Sequence, residues 1–263
     1  MFPYREALVT GASRGLGRAF AEALQGEGVT VWGTSRNGAR LPDGVRPIAL
    51  DLGDPASIAA CITRLGADAP EIDLLVNNAG SGAFHPFAQF PDASLAAQWQ
   101  TLLAAPVTLC RAFFPHFVAR RHGAIVNVTS LAGRFPVPCM SAYSAAKAAM
   151  SAFSTALMLE AAGTGVTIID FQPGDFATGF NNTMEKCPSP DPATARVWAR
   201  CEKHLIHGPP PDAAARSLLC VLRRRRSQTI VIGGFWQAIL GPLLSRIAPQ
   251  QLILRYLRTY YDL

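Results

Sequence analysis

The sequence has no CxxC pair, no HxxxH and no grouping of His with Cys, so neither a metal site nor a thiol redox centre is expected. Its six cysteines (Cys61, Cys110, Cys139, Cys187, Cys201, Cys220) lie far apart and read as ordinary thiols of a reducing, cytoplasmic setting. No basic stripe with interleaved aromatics is present. Apart from Arg223-Arg224-Arg225-Arg226 the cations are dispersed and the net charge is only +6, so nucleic acid is not an expected partner. No uninterrupted apolar run reaches bilayer length, and the chain enters its first strand straight after Glu6, so no signal peptide is expected. Charge itself is scarce, at 16% of residues against 49% hydrophobic. That balance excludes disorder and points to a well-buried interior with an apolar pocket or interface.

What is present is alternation. Short apolar runs, Ala7–Thr10, Val29–Trp32, Ile48–Leu50, Leu74–Val76, Ile125–Val128, Val166–Ile169 and Thr229–Ile232, are separated by longer helical patterns. Continuous apolar runs suit strands buried on both faces, and the alternation demands right-handed crossovers. The expected fold is α/β, a doubly wound Rossmann sheet of about seven parallel strands. Residues 1–234 form its single domain, and 235–263 a C-terminal amphipathic helical extension. Asp54-Pro55 is read as a helix start, a helical region is expected from about Ala93 to Arg121 with a bend near Pro106, and another from Ala142 to Ala162. Residues 179–211, rich in Pro and Asn, read as an irregular, mobile flap.

Between the first strand and the first helix stands Thr10-Gly11-Ala12-Ser13-Arg14-Gly15-Leu16-Gly17. Gly11 permits a tight turn, Gly15 a close approach of backbone to a diphosphate, and Gly17 close helix–sheet packing. The helix start then offers its unpaired N–H groups to the anion. Further on, Tyr143 and Lys147 lie four apart on one helix face, with Ser130 ending the fifth strand thirteen residues before Tyr143. Both ends of the constellation fall at the carboxyl edge of the sheet. Tyr143 is the candidate proton donor of the set, its phenol pulled down by the nearby ammonium.

The loop TGxxxGxG, followed in order by Asn77-Asn78-Ala79-Gly80 and the Ser…YxxxK set, resembles the short-chain dehydrogenase/reductase family from about Leu8 to Thr178. By that resemblance Ser130, Tyr143 and Lys147 are catalytic: Ser130 polarises the substrate oxygen, Tyr143 protonates the developing alkoxide with its phenol lowered further by the oxidised nicotinamide, and Lys147 also bonds the nicotinamide ribose. The dinucleotide would rest on Gly11, Ser13, Arg14, Gly15, Leu16 and Gly17, on Asp51 and Leu52 at the adenine, and on Asn78, Ala79 and Gly80. Pro173, Gly174, Phe176 and Thr178 resemble the segment that holds the carboxamide. At the position where an acidic residue marks NAD the chain has Ser35, followed by Arg36, with Arg14 nearby. Two guanidinium groups suit a 2′-phosphate, so NADP(H) is expected rather than NAD(H).

One position departs from the pattern. Leu102 stands where the family usually carries an asparagine that supports a proton-relaying water, and leucine has no hydrogen-bonding group. Either Gln100 or Thr101 rebuilds the route, or turnover is slow. The expected activity is interconversion of a hydrophobic ketone or aldehyde and its alcohol; the alternative is a weak or inactive dinucleotide-binding sensor or scaffold. Ala132, Phe135, Cys139, Met140, Phe176 and the flap after Gly179 are the expected substrate contacts by resemblance. The tail alternates apolar residues from Phe235 to Leu257 with Arg246, Arg255 and Arg258, cut by Pro242 and Pro249. Three fates are open to it: a membrane interface giving peripheral attachment, a cover over the substrate mouth, or an oligomer contact. The resemblance also implies a homodimer or homotetramer through the two long helices.

Overall fold

The computed structural model describes residues 1–35, 41–69, 71–234 and 248–263. Arg36 and the tail segment 235–247 therefore lie outside the described residues. Nine strands and eight helices are found among those described. The strands are β1 (Glu6–Val9), β2 (Thr30–Ser35), β3 (Arg46–Ala49), β4 (Leu74–Asn77), β5 (Ala83–Phe84), β6 (Gly123–Val128), β7 (Val166–Pro173), β8 (Glu185–Lys186) and β9 (Gln228–Ile232). The helices are α1 (Gly15–Gly26), α2 (Pro55–Asp68), α3 (Asp92–Trp99), α4 (Ala105–Arg120), α5 (Ser141–Glu160), α6 (Pro192–Ile206), α7 (Pro211–Arg224) and α8 (Gln250–Tyr261).

Seven strands form one parallel sheet in the order β3-β2-β1-β4-β6-β7-β9. The order reverses direction at β1, and the crevice beyond the carboxyl ends of β1 and β4 is where such sheets bind ligands. One core, with Phe20, Leu24, Phe171 and Leu218, lies under α1 and α7; a second, with Ile58, Leu65, Leu109 and Phe117, lies under α2, α4 and α5. This is the doubly wound arrangement the alternation dictates. Asp54 caps α2 as its spacing suggests, accepting from Ala56 N at 2.9 Å.

The helical stretch Asp92–Arg120 is long and apolar enough to cross a bilayer by length and composition. Leu102, Ala105, Leu109, Cys110 and Phe117 are nevertheless buried, as in a core helix. Its irregularity lies one turn before Pro106, where Gln100–Ala104 forms a π-turn that opens directly into α4. Proline has no N–H and its ring collides with the carbonyl four residues back, which is Leu102; widening the turn there relieves both defects.

Residues 179–211 are not irregular throughout. They contain α6, fifteen residues long, opened by Asp191, whose Oδ1 accepts from Thr194 N at 2.9 Å. They also contain β8, which pairs in parallel with β5. Glu185 on β8 is held by Ser94 Oγ at 2.7 Å and by His85 Nε2 at 3.1 Å, so the segment is fastened to the main body. A third core, with Phe84, Met140, Met184, Val197, Cys201 and Tyr261, fills the space beneath it.

Candidate active site

Thr10 directly follows β1, with its Oγ1 accepting from Asn78 N at 2.9 Å and from Ala79 N at 3.0 Å. Asn78 Nδ2 donates back to Thr10 O at 2.9 Å. These bonds fix the glycine loop against the end of β4. Gly17 has to be glycine: a Cβ there would lie 2.3 Å from Gly11 O and 2.4 Å from Asn78 Nδ2. Gly15, with φ +55, lets Thr178 close over the loop, since a Cβ would meet Thr178 Cβ at 3.2 Å. Helix α1 begins after Arg14 with no side-chain cap. Its first N–H groups therefore point into the cleft without an internal acceptor, which is the condition for anion binding.

A cavity of about 1450 Å³ runs from this loop along the carboxyl edge of the sheet. Its walls include Gly11, Ser13, Arg14, Gly15, Leu16 and Gly17, then Ser35, Asp51, Leu52, Asn78, Ala79 and Gly80. Ser130, Tyr143, Lys147, Pro173, Gly174, Phe176 and Thr178 continue it. Every expected site residue among those described is thus brought to one cleft; Arg36 alone lies outside the description. Of the expected substrate contacts, Ala132, Phe135, Met140 and Phe176 line the cavity, whereas Cys139 does not. Cys139 instead turns the chain in the left-handed region, φ +63, and packs beside the third core. Ser35 Oγ is buried and has no hydrogen-bond partner, and no acidic side chain occupies that end of β2. An orphaned hydroxyl there suits a ribose or phosphate oxygen, so the residues present fit a dinucleotide.

Lys147 is buried and Tyr143 partly buried in the cleft, with Lys147 Nζ 5.8 Å from the Tyr143 ring centre. Burial pushes the Tyr143 phenol up to about 12, a hydrogen bond with Ser130 pulls it down, and Asp175 pushes it up again. In the protein by itself desolvation outweighs the Ser130 bond; the expected lowering calls on the oxidised nicotinamide as well. Burial brings Lys147 down to about 8 while Asp170 opposes it. Lys147 Nζ donates to Val128 O at 2.7 Å, at the end of β6 and two residues before Ser130. Asn77, Asn127 and Ser154 form a chain behind it, Asn77 Nδ2 donating to Asn127 Oδ1 and Asn127 Nδ2 to Ser154 Oγ, each at 2.9 Å.

Leu102 is buried, with its Cδ2 3.0 Å from where a Cβ on Gly80 would stand. Of the two residues expected to replace its function, Gln100 is committed to Leu52 O at 3.1 Å. Thr101 lines the main cavity.

The far end of the cavity is built by the expected flap together with the tail, though the sequence does not mark which of their residues face it. Cys201, His204 and Leu205 of α6 and Tyr256, Leu257 and Tyr260 of α8 line it. His204 and Tyr260 stack with ring centres 4.6 Å apart, and Arg200 Nε donates to Tyr260 O at 3.2 Å. The described part of the tail thus lines the cavity with Tyr256, Leu257, Tyr260 and Tyr261.

A phenol, an ammonium and a hydroxyl gathered on a dinucleotide cleft at the edge of a parallel sheet define an oxidoreductase of the Rossmann class. Residues 5–188 match the family model described as short chain dehydrogenase, and the chain belongs to that family. It is 33% identical over 175 residues to a 3-ketodihydrosphingosine reductase from Bacteroides thetaiotaomicron, covering 66% of this chain and 65%, just under two thirds, of that relative. Among solved structures it resembles a short-chain dehydrogenase from Streptomyces avermitilis, TM-score 0.82 and 29% identity, covering 98% of this chain and 96% of that one. A serine dehydrogenase complexed with NADP+ superposes with TM-score 0.75 at 27% identity, covering 87% and 94%.

Proposed function

We propose that the protein interconverts a hydrophobic ketone or aldehyde and the corresponding alcohol, using NADP(H). The observation that carries this reading is the single cleft in which Tyr143, Lys147 and Ser130 stand between the glycine loop and an apolar chamber. The bound nicotinamide supplies hydride chemistry. Tyr143 is the group placed to give a proton to the substrate oxygen, Ser130 to hold that oxygen, and Lys147 to stabilise the phenolate left behind. Burial, with Asp175, holds the phenol high in the protein by itself, so Tyr143 carries a proton to donate at neutral pH.

Support for NADP(H) over NAD(H) comes from Ser35 and Arg14: the first offers no carboxylate to repel a 2′-phosphate, the second a cation at the loop. The serine dehydrogenase complexed with NADP+ points the same way. Support for a hydrophobic ketone comes from the chamber of Phe180, Met184, Met140 and Leu257 and from the relative's name, a ketodihydrosphingosine reductase.

Loss of NADPH absorbance against a panel of hydrophobic ketones and aldehydes tests the reading. Tyr143→Phe should lower turnover by roughly 10²–10⁴-fold while NADPH still binds. Retained turnover in that variant would overturn the assignment. Leu102 favours a second reading, a dinucleotide sensor. A thermal shift with NADPH but no turnover on any panel member, even in Leu102→Asn, would select it.

A further inference from the structure

Behind the catalytic trio lies a buried carboxylate that the chemistry above does not use. Asp170, in the middle of β7, is wholly inaccessible. Its Oδ1 accepts from Thr129 Oγ1 at 2.5 Å, and its Oδ2 from Ser151 Oγ at 2.6 Å and Gln172 Nε2 at 2.7 Å. Thr229 Oγ1 stands 3.5 Å away. Gln172 Nε2 also donates to Ser151 Oγ at 3.0 Å, which turns the serine proton toward Asp170. An amide nitrogen only donates, so the arrangement suits an ionised carboxylate with acceptor oxygens alone. A buried charge of this kind persists only when it is paired or fully hydrogen-bonded.

The partners are the informative part. Thr129 lies between Val128, whose carbonyl accepts from Lys147, and the catalytic Ser130. Ser151 lies one turn beyond Lys147 on α5, which itself lies one turn beyond Tyr143. Asp170 thus grips both elements that carry the trio.

We propose that Asp170 is a positioning residue of the reaction, locking the end of β6 to α5 through Thr129 and Ser151 and supplying the negative charge that the buried Lys147 ammonium needs. Its kinetic consequence rests on the oxidoreductase reading above; its effect on Lys147 does not. The titratable groups around the ammonium are Tyr143 on α5, Asp170 on β7 and Asp175 just beyond β7, whose field falls on Tyr143. Burial lowers Lys147 and Asp170 raises it, so removing the carboxylate makes Lys147 lose its proton at lower pH. The alkaline limb of the rate profile then moves to lower pH.

Asp170→Asn keeps the shape and removes the charge. The expected result is a fall in kcat of about tenfold, KM and NADPH affinity within about twofold, and an alkaline limb displaced downward by about one pH unit. Ser151→Ala, which keeps the charge, should lower kcat by about threefold and leave the limb in place. The chain has three lysines, Lys147, Lys186 and Lys203, so ¹⁵N-lysine NMR resolves the Lys147 titration directly and without turnover. A downward displacement of that titration in Asp170→Asn supports the proposal even if no substrate is turned over, in which case only the oxidoreductase reading fails. An unmoved Lys147 titration, or wild-type kcat and profile in Asp170→Asn, overturns it. Should Asp170→Asn fail to fold, Thr129→Val and Ser151→Ala carry the test, and wild-type kcat in both overturns it.

Discussion

The two ends of the cavity are built on different principles. At the dinucleotide end the shape is set by backbone: strand termini, a glycine loop, and an uncapped helix start in which glycine is obligatory at Gly17. At the substrate end it is set by side chains of α6 and α8 meeting Phe180, Met184 and Met140 in a third core. Backbone walls tolerate almost no change, while walls of packed apolar side chains can be remodelled at modest cost. In the function proposed above, the first end would fix the reaction and the second select what undergoes it.

Substitutions can break that contrast, beginning with the largest effect. Gly17→Ala forces a Cβ to within 2.3 Å of Gly11 O, so the loop has to shift. NADPH affinity measured by calorimetry should fall by about 100-fold, roughly 2.7 kcal/mol, with a lowered Tm. An unchanged affinity would mean that the loop is not the diphosphate seat. Arg14→Ala should cost about tenfold in NADPH binding and leave NADH binding within about twofold, as expected for loss of a charge-assisted contact to a phosphate. Equal losses for both would place Arg14 at the diphosphate instead. The smallest effect is expected at the other end: Leu257→Ala on α8 should raise KM for a long hydrophobic substrate by about threefold to tenfold and leave NADPH affinity alone. If instead it weakened NADPH binding, the division into two ends would be lost.

The same contrast explains what the sequence made readable. Strands buried on both faces are continuous apolar runs, and the seven of the large sheet stand within a few residues of where those runs place them. The β5–β8 pair is two residues long on each side and leaves no periodicity to detect. Glycine, Tyr143, Lys147 and Ser130 are legible because few residue types satisfy a tight turn or a proton transfer. Helix α6 had a signal that the richness in Pro and Asn masked. Asp191-Pro192 opens it in the same way that Asp54-Pro55 opens α2, with Asp191 accepting from both Thr194 N and Oγ1. Val197 and Cys201, four apart, mark its buried face. Asp170 left no local trace, because its partners Thr129, Ser151 and Thr229 are gathered only when β6, α5 and β9 assemble around β7.

The bare start of α1 reaches beyond recognition. A helix whose leading amides lack internal acceptors is completed by whatever anion settles there, and a ligand that binds only the native chain adds RT ln(1 + [L]/Kd) to its stability. On the function proposed above, a bound dinucleotide would supply that anion, so adding NADPH should slow proteolysis of this chain.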